Sequence, residues 1–177
     1  MKLDFPYFDL MKVLWTALLI LVTALSGTEI VAIAAGFDHS LALDESGNVW
    51  AWGSNGSGQL GQGDFVERHE PTLVRDSTGV LGGIIQISAG YRFSCALTSD
   101  RRVLCWGLND KGQLGNGTTT DYSLPIHVRY GTGVLAGIEQ ISAGAEHMMA
   151  LTLAEEIYLW GSNEFGQLVG GLIGCSD

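Results

Sequence analysis

The sequence predicts an all-β fold: a partial β-propeller of four-stranded antiparallel blades, about two and a half of them, behind an N-terminal hydrophobic signal helix. Three observations carry this. Ala35-Gly36-Phe37-Asp38-His39-Ser40-Leu41-Ala42-Leu43 returns 54 residues later as Ala89 to Leu97, and again after 54 as Ala143 to Leu151. Each unit contains short apolar runs separated by turn residues, the pattern of strands and not of helices. Finally, 25 glycines accompany only 3 prolines, which suits tight turns between strands and not a flexible linker.

Residues 1–27 form a separate object. Val13 to Leu25 carries no charge, follows Lys12 and precedes Ser26-Gly27-Thr28-Glu29. A membrane-spanning helix needs about 20 apolar residues, so this run is short. A basic flank, an apolar core and the small residues Ala24 and Ser26 read instead as a signal peptide cut after Ser26 or Gly27, with an uncleaved anchor or a buried helix as alternatives. Met11 offers a more compact start than Met1.

Residues 28–177 form the repeat domain, in units of about 28–81, 82–135 and 136–177. In the first unit Ile30 to Ile33 is a strand, and Ser40 to Leu43 and Val49 to Trp52 flank the turn cluster Asp44-Glu45-Ser46-Gly47-Asn48. A fourth strand is expected from Pro71 to Val74, with the proline at its start. Gly47 becomes Arg101 and Glu155 in the later units, so those turns are expected to use other geometries. The third unit puts Val169 where Gly61 and Gly115 stood and ends at Asp177 before a fourth strand. Propellers close with about 4–8 blades, so either the chain is a piece of a larger ring or several chains complete one. Unpaired blade edges also predict self-association.

If the hairpin turns centre near residues 46, 100 and 154, Leu41 faces Ala51, Cys95 faces Cys105 and Met149 faces Leu159. Both members change to cysteine together in the second unit. Directly opposed residues lie within disulfide range, so an exported chain is expected to bond Cys95 to Cys105; two buried free thiols are the alternative. Cys175 is left over.

Trp52-Gly53-Ser54-Asn55-Gly56-Ser57-Gly58-Gln59-Leu60-Gly61 and Trp106-Gly107-Leu108-Asn109-Asp110-Lys111-Gly112-Gln113-Leu114-Gly115 resemble the signature of the RCC1-type (regulator of chromosome condensation) repeat, and Trp160, Gly161, Gly166, Gln167 and Leu168 continue it. The resemblance implies a propeller with one four-stranded blade per unit. It spans a family that includes exchange factors for a small GTPase, a plant light receptor and secreted bacterial proteins such as a β-lactamase inhibitor. Cysteine pairs at the Cys95 and Cys105 positions resemble those of exported bacterial members. Fold transfers through such a resemblance and activity does not. The repeated residue types have structural reasons: glycine for positive φ, Asn55, Asn109 and Asn163 for left-handed geometry and local backbone bonds, tryptophan for buried area between blades.

The residues offer little chemistry. Nine basic against nineteen acidic residues give a net charge of −10, which disfavours contact with phosphate backbones. His39 and His147 share a slot that Phe93 fills in the second unit, so packing and not ligation is expected there. His69 and His127 stand alone in loops, and Asp38-His39-Ser40 is a chance echo of a hydrolase triad, since Arg92-Phe93-Ser94 replaces it. Asp44-Glu45 and Glu155-Glu156 are expected to be solvated turn carboxylates. The sequons at Asn55 and Asn116 matter only in a eukaryotic secretory pathway; a bacterial source is expected. No catalytic, cofactor-binding or metal-binding residue emerges. The expected function is that of an exported, non-enzymatic scaffold or inhibitor, secreted, periplasmic or cell-surface, touching the membrane only transiently through its signal segment and binding an unknown protein partner. An exchange factor or chromatin-associated regulator, an enzyme built on the loops, and a non-functional fragment are the alternatives.

Overall fold

The computed structural model describes residues 29–168; the expected signal segment, Val169 and Cys175 lie outside them. Fifteen strands, and among the described residues no helix, follow in order: β1 (Ile30–Ala35), β2 (His39–Asp44), β3 (Val49–Gly53), β4 (Arg68–Leu73), β5 (Arg75–Asp76), β6 (Gly79–Val80), β7 (Ile84–Ala89), β8 (Phe93–Thr98), β9 (Val103–Gly107), β10 (Tyr122–His127), β11 (Arg129–Tyr130), β12 (Gly133–Val134), β13 (Ile138–Ala143), β14 (His147–Thr152) and β15 (Ile157–Gly161). They make two four-stranded antiparallel sheets, β1-β2-β3-β4 and β7-β8-β9-β10, then the three-stranded β13-β14-β15. The hairpins β5–β6 and β11–β12 sit in the connections between sheets.

Each hairpin register places Leu41 opposite Ala51, Cys95 opposite Cys105 and Met149 opposite Leu159. The fourth strand begins earlier than expected. β4 starts at Arg68, and Pro71 lies inside it, within an irregularity of the pairing with β3; Pro125 takes the same place in β10. Both strands are sheet edges, where a missing N–H leaves no ladder bond unmade.

The turns are a second correction. Gly47, Arg101 and Glu155 share one left-handed conformation, with φ of 80°, 65° and 64°. Each turn closes with the same pair of backbone bonds, for instance Gly47 N–H to the Asp44 carbonyl and Arg101 N–H to the Thr98 carbonyl. Packing of the flanking strands dictates the turn, and the two non-glycine residues absorb the strain. Nor is Asp44 solvated. It is buried and accepts from Ser46 N–H, Asn48 N–H, the Asn48 amide and Trp50 Nε1. Burial opposes its ionisation, but those bonds outweigh burial and hold the carboxyl below its ordinary value.

The core lies between sheets and not within one. Leu41, Leu43, Val49 and Ala51 of the first sheet meet Ile87, Ala96, Leu104 and Trp106 of the second. Phe93, Cys95, Val103 and Cys105 from the other face of the second meet Ile141, Met148, Ala150 and Trp160 of the third. The middle sheet is therefore buried on both faces. Its Cys95–Cys105 disulfide, with Cα atoms 4.1 Å apart, belongs to the second core.

Candidate functional site

The repeated residues converge on a latch between neighbouring sheets. The loop from β3 to β4 carries Asn55 and Gln59. The Asn55 carboxamide oxygen accepts Leu60 N–H at 2.9 Å, and its nitrogen donates to the carbonyls of Asp64 and Val66. Asn109 does the same, accepting Leu114 N–H and donating to the carbonyls of Thr118 and Thr120, and Asn163 Oδ1 accepts Leu168 N–H. These asparagines bond the local backbone as expected but without positive φ, since only Arg101 and Glu155 among described non-glycine residues have it. With Asn55 buried and both ends of its amide engaged, its sequon carries no accessible acceptor.

The loop so shaped presents the Gln59 carbonyl to the next sheet. Trp106 Nε1 donates to it at 2.9 Å, and one unit on, Trp160 Nε1 donates to the Gln113 carbonyl at 2.9 Å. The glutamine side chains close on their own loops: Oε1 of Gln59, Gln113 and Gln167 accepts from the backbone N–H of Ser57, Lys111 and Phe165. Trp106 and Trp160 are buried, while Trp52, whose indole would latch to a preceding unit, is half-buried. The motif glycines Gly53, Gly58, Gly107, Gly112, Gly161 and Gly166 all have positive φ. At Gly61, with φ of 66°, a Cβ would also stand 2.7 Å from Val74 Cγ1 and 2.9 Å from Trp106 Nε1, so the latch leaves no room for a side chain.

The aromatic slot three residues after Gly36, Gly90 and Gly144 is a packing position. The rings of His39, Phe93 and His147 lie where a Cβ on those glycines would be, within 2.1 Å. His39 has a polar task besides, which its phenylalanine counterpart hid. Ser94 donates its hydroxyl proton to the Gln59 carbonyl at 2.8 Å, so His39 Nε2–H donates to Ser94 Oγ at 2.9 Å. Nδ1 is buried without a partner, and burial lowers the histidine pKa to about 4 against the opposing charge of Asp38. A clasp that the motif reading missed joins the second and third sheets: Gln86 Nε2 donates to the Ile141 carbonyl, Ile141 N–H returns to Gln86 Oε1, and Ala143 N–H donates to Ser88 Oγ. Polar residues alternating within the apolar run Ile84-Ile85-Gln86-Ile87-Ser88 were its only signal in the sequence.

Among the described residues no three His, Cys, Asp or Glu side chains group to hold a metal. An open cleft of ≈ 610 Å³ at the outer rim is lined by Asp76, Ser77, Thr118, Tyr122, His127 and Arg129 among others. Exposed apolar side chains lie on β1, where Val31 and Ile33 face outward, and at the end of the sheets where the β1–β2 and β3–β4 loops emerge. There Phe37 is 70% exposed and leans on Tyr91 with ring centroids 4.6 Å apart, and Phe165 is 91% exposed.

Three blade-like antiparallel sheets joined through a recurring indole-to-carbonyl latch define a repeat protein of the β-propeller class. The chain belongs to the RCC1 repeat family: two profiles of the regulator of chromosome condensation (RCC1) repeat match it, over residues 46–97 and 100–151 and over 30–59, 84–113 and 138–167. It is 38% identical to human "Probable E3 ubiquitin-protein ligase HERC6" over 149 residues, covering 83% of this chain and 14% of that protein. It is 33% identical to the Arabidopsis thaliana "Ultraviolet-B receptor UVR8" over 147 residues, 83% of this chain and 32% of the receptor. Prp20p from Saccharomyces cerevisiae, whose crystal structure was described with its binding properties to Gsp1p and histones, superposes with a TM-score of 0.68 at 29% identity, over 81% of this chain and 33% of Prp20p. The chain thus spans about a third or less of these relatives.

Proposed function

We propose that this chain is an exported RCC1-type interaction protein, a scaffold or inhibitor that works by binding another protein through the loop end of its sheets and performs no catalysis. The observation that carries the reading is the solvent-facing Phe37, leaning on the half-buried Tyr91, on loops whose backbones are fixed. Phe37 N–H donates to the Tyr91 carbonyl and Tyr91 N–H to the Ala145 carbonyl, so three successive loops form one rigid rim. Exposed aromatic anchors on a rigid frame are what protein interfaces use. The residue types repeated from unit to unit, by contrast, are consumed in holding blades together. The uncharged run Val13 to Leu25 supports export.

The test is photo-crosslinking. Benzoyl-phenylalanine at position 37 is expected to give discrete adducts in the native secretory fluid, and at position 155, at the opposite end, none. Absence of adducts from position 37 overturns the interaction reading. Recovery of the unprocessed chain in the cytosol overturns the export reading separately. The likeness to Prp20p supports a second reading, a nucleotide-exchange factor; accelerated nucleotide release from a small GTPase by the purified chain would establish it in place of the first.

A further inference from the structure

We infer that the loop end of the sheets takes a basic, extended segment of its partner, with a lysine or arginine side chain laid on the open face of Phe37; this rests on the interaction reading above. In an antiparallel blade the β1–β2 and β3–β4 loops emerge at the same end. Here those loops, residues 36–38, 54–67, 90–92, 108–121, 144–146 and 162–168, hold seven carboxylates and two cations. The opposite end, residues 44–48, 74–83, 98–102, 128–137 and 152–156, holds six carboxylates and four cations. Both cations of the loop end are already committed, Arg92 Nε to Asp38 at 3.7 Å and Lys111 Nζ to Glu164 at 3.1 Å, and Arg68 at the start of β4 takes Asp64 at 2.7 Å, which leaves Glu67, Asp110, Asp121 and Glu146. The surplus charge there is negative and faces solvent.

The chain displays the recognition geometry on itself. Arg92 lies over the Tyr91 ring at 5.3 Å from its centroid while pairing with Asp38, so one cation serves a ring and a carboxylate at once. One unit earlier the ring position is Phe37, with no cation on it; Asp38, which follows it, is the carboxylate that Arg92 already holds, so the charge left for a partner comes from the other carboxylates of this end. One face of Phe37 meets Tyr91 and the rest is open. Such a surface repels nucleic acid and anionic lipid, and its carboxylates are spread over separate loops and not gathered for a metal ion. A cationic peptide satisfies both the ring and the charge.

The experiment uses the full chain and fluorescein-labelled decapeptides alternating arginine with alanine, glutamate with alanine, or serine with glycine, read by fluorescence anisotropy at two salt concentrations. The arginine peptide alone is expected to bind, and more weakly at high salt. Phe37→Ala is expected to weaken it about threefold, while Glu45→Gln combined with Glu155→Gln leaves it unchanged; circular dichroism checks that each variant keeps its sheets. Equal binding of the glutamate peptide, no binding of the arginine peptide, or loss only in the opposite-end variant overturns the inference. Crosslinks from position 37 without arginine-peptide binding refute the charge class and spare the interaction reading; no crosslinks there refute both.

Discussion

His39 offers a perturbation whose magnitude follows from its surroundings. The imidazole is buried, its Nδ1 has no partner, and its pKa falls from 6.5 to about 4 because burial disfavours the charged ring. Asp38 acts in the other direction and loses. Folding therefore favours the neutral form. Above pH 6.5 both folded and unfolded chains hold His39 neutral, and its contribution is complete. As pH falls, the unfolded chain takes up the proton first, and stability declines until the folded ring titrates near pH 4. Between about pH 7.5 and pH 5.3, a window chosen to stay above the pI near 4.6, linkage predicts a loss of roughly 1.5–2 kcal/mol from this residue. Phe93 shows that phenylalanine fits the slot against a glycine backbone. His39→Phe should keep stability at pH 7.5 within about 1 kcal/mol, the worth of the bond to Ser94, and should remove the acid-dependent loss. Urea unfolding followed by tryptophan fluorescence, at several pH values, measures both. Groups shared by the two proteins, Asp44 among them, cancel in the difference. If the two stability curves stay parallel across the window, His39 is not held neutral by burial and the assignment of its hydrogen bonds is wrong.

Three further outcomes are expected. Arg101→Gly relieves a left-handed residue that glycine adopts freely, and should raise stability by about 0.5–1 kcal/mol, while Gly47→Ala lowers it, both read from thermal unfolding. Gly61→Ala adds a methyl that meets Val74 and the Trp106 indole and should destabilise by about 2–3 kcal/mol; Gly117→Ala, with φ of 78° but nothing within 4 Å, should lose only about 1 kcal/mol. Equal effects at the two sites would mean that strain and not crowding controls the latch. Replacing Cys95 and Cys105 together by alanine should lower stability by about 2–3 kcal/mol from the loss of the short loop closure, with some addition from the emptied core, and a reductant should have little effect on the native chain because both sulfurs are shielded.

The strands were legible because three copies of one unit each vote on the same pattern: Leu41 opposite Ala51 and Cys95 opposite Cys105 follow from where the turns repeat. What the repeat hid is whatever differs between copies. Asp44 reads as a solvated turn acid, yet Trp50 and Asn48 reach back to enclose it, and no pattern of residue types announces a bond spanning the turn. Arg101 and Glu155 suggested a change of turn, but strands packed on both sides leave the backbone one way to close, whatever the residue. His39 looked like filler because Phe93 replaces it; its bond to Ser94 joins positions 55 apart on different sheets. The loop end was legible in composition and not in geometry, since the tilted contact of Phe37 with Tyr91 depends on backbone bonds between loops of successive units.

The latch runs one way round the arc. The Gln59 carbonyl that the second unit's indole needs belongs to the first, and that of Gln113 serves the third, so each blade is finished by the one before it. A lesion at Gln59 would register downstream, as a loosened Trp106, before it disturbed its own sheet. Mutational damage in such a chain should spread toward higher residue numbers, and a scan of unit-by-unit amide exchange would show the asymmetry as a wake.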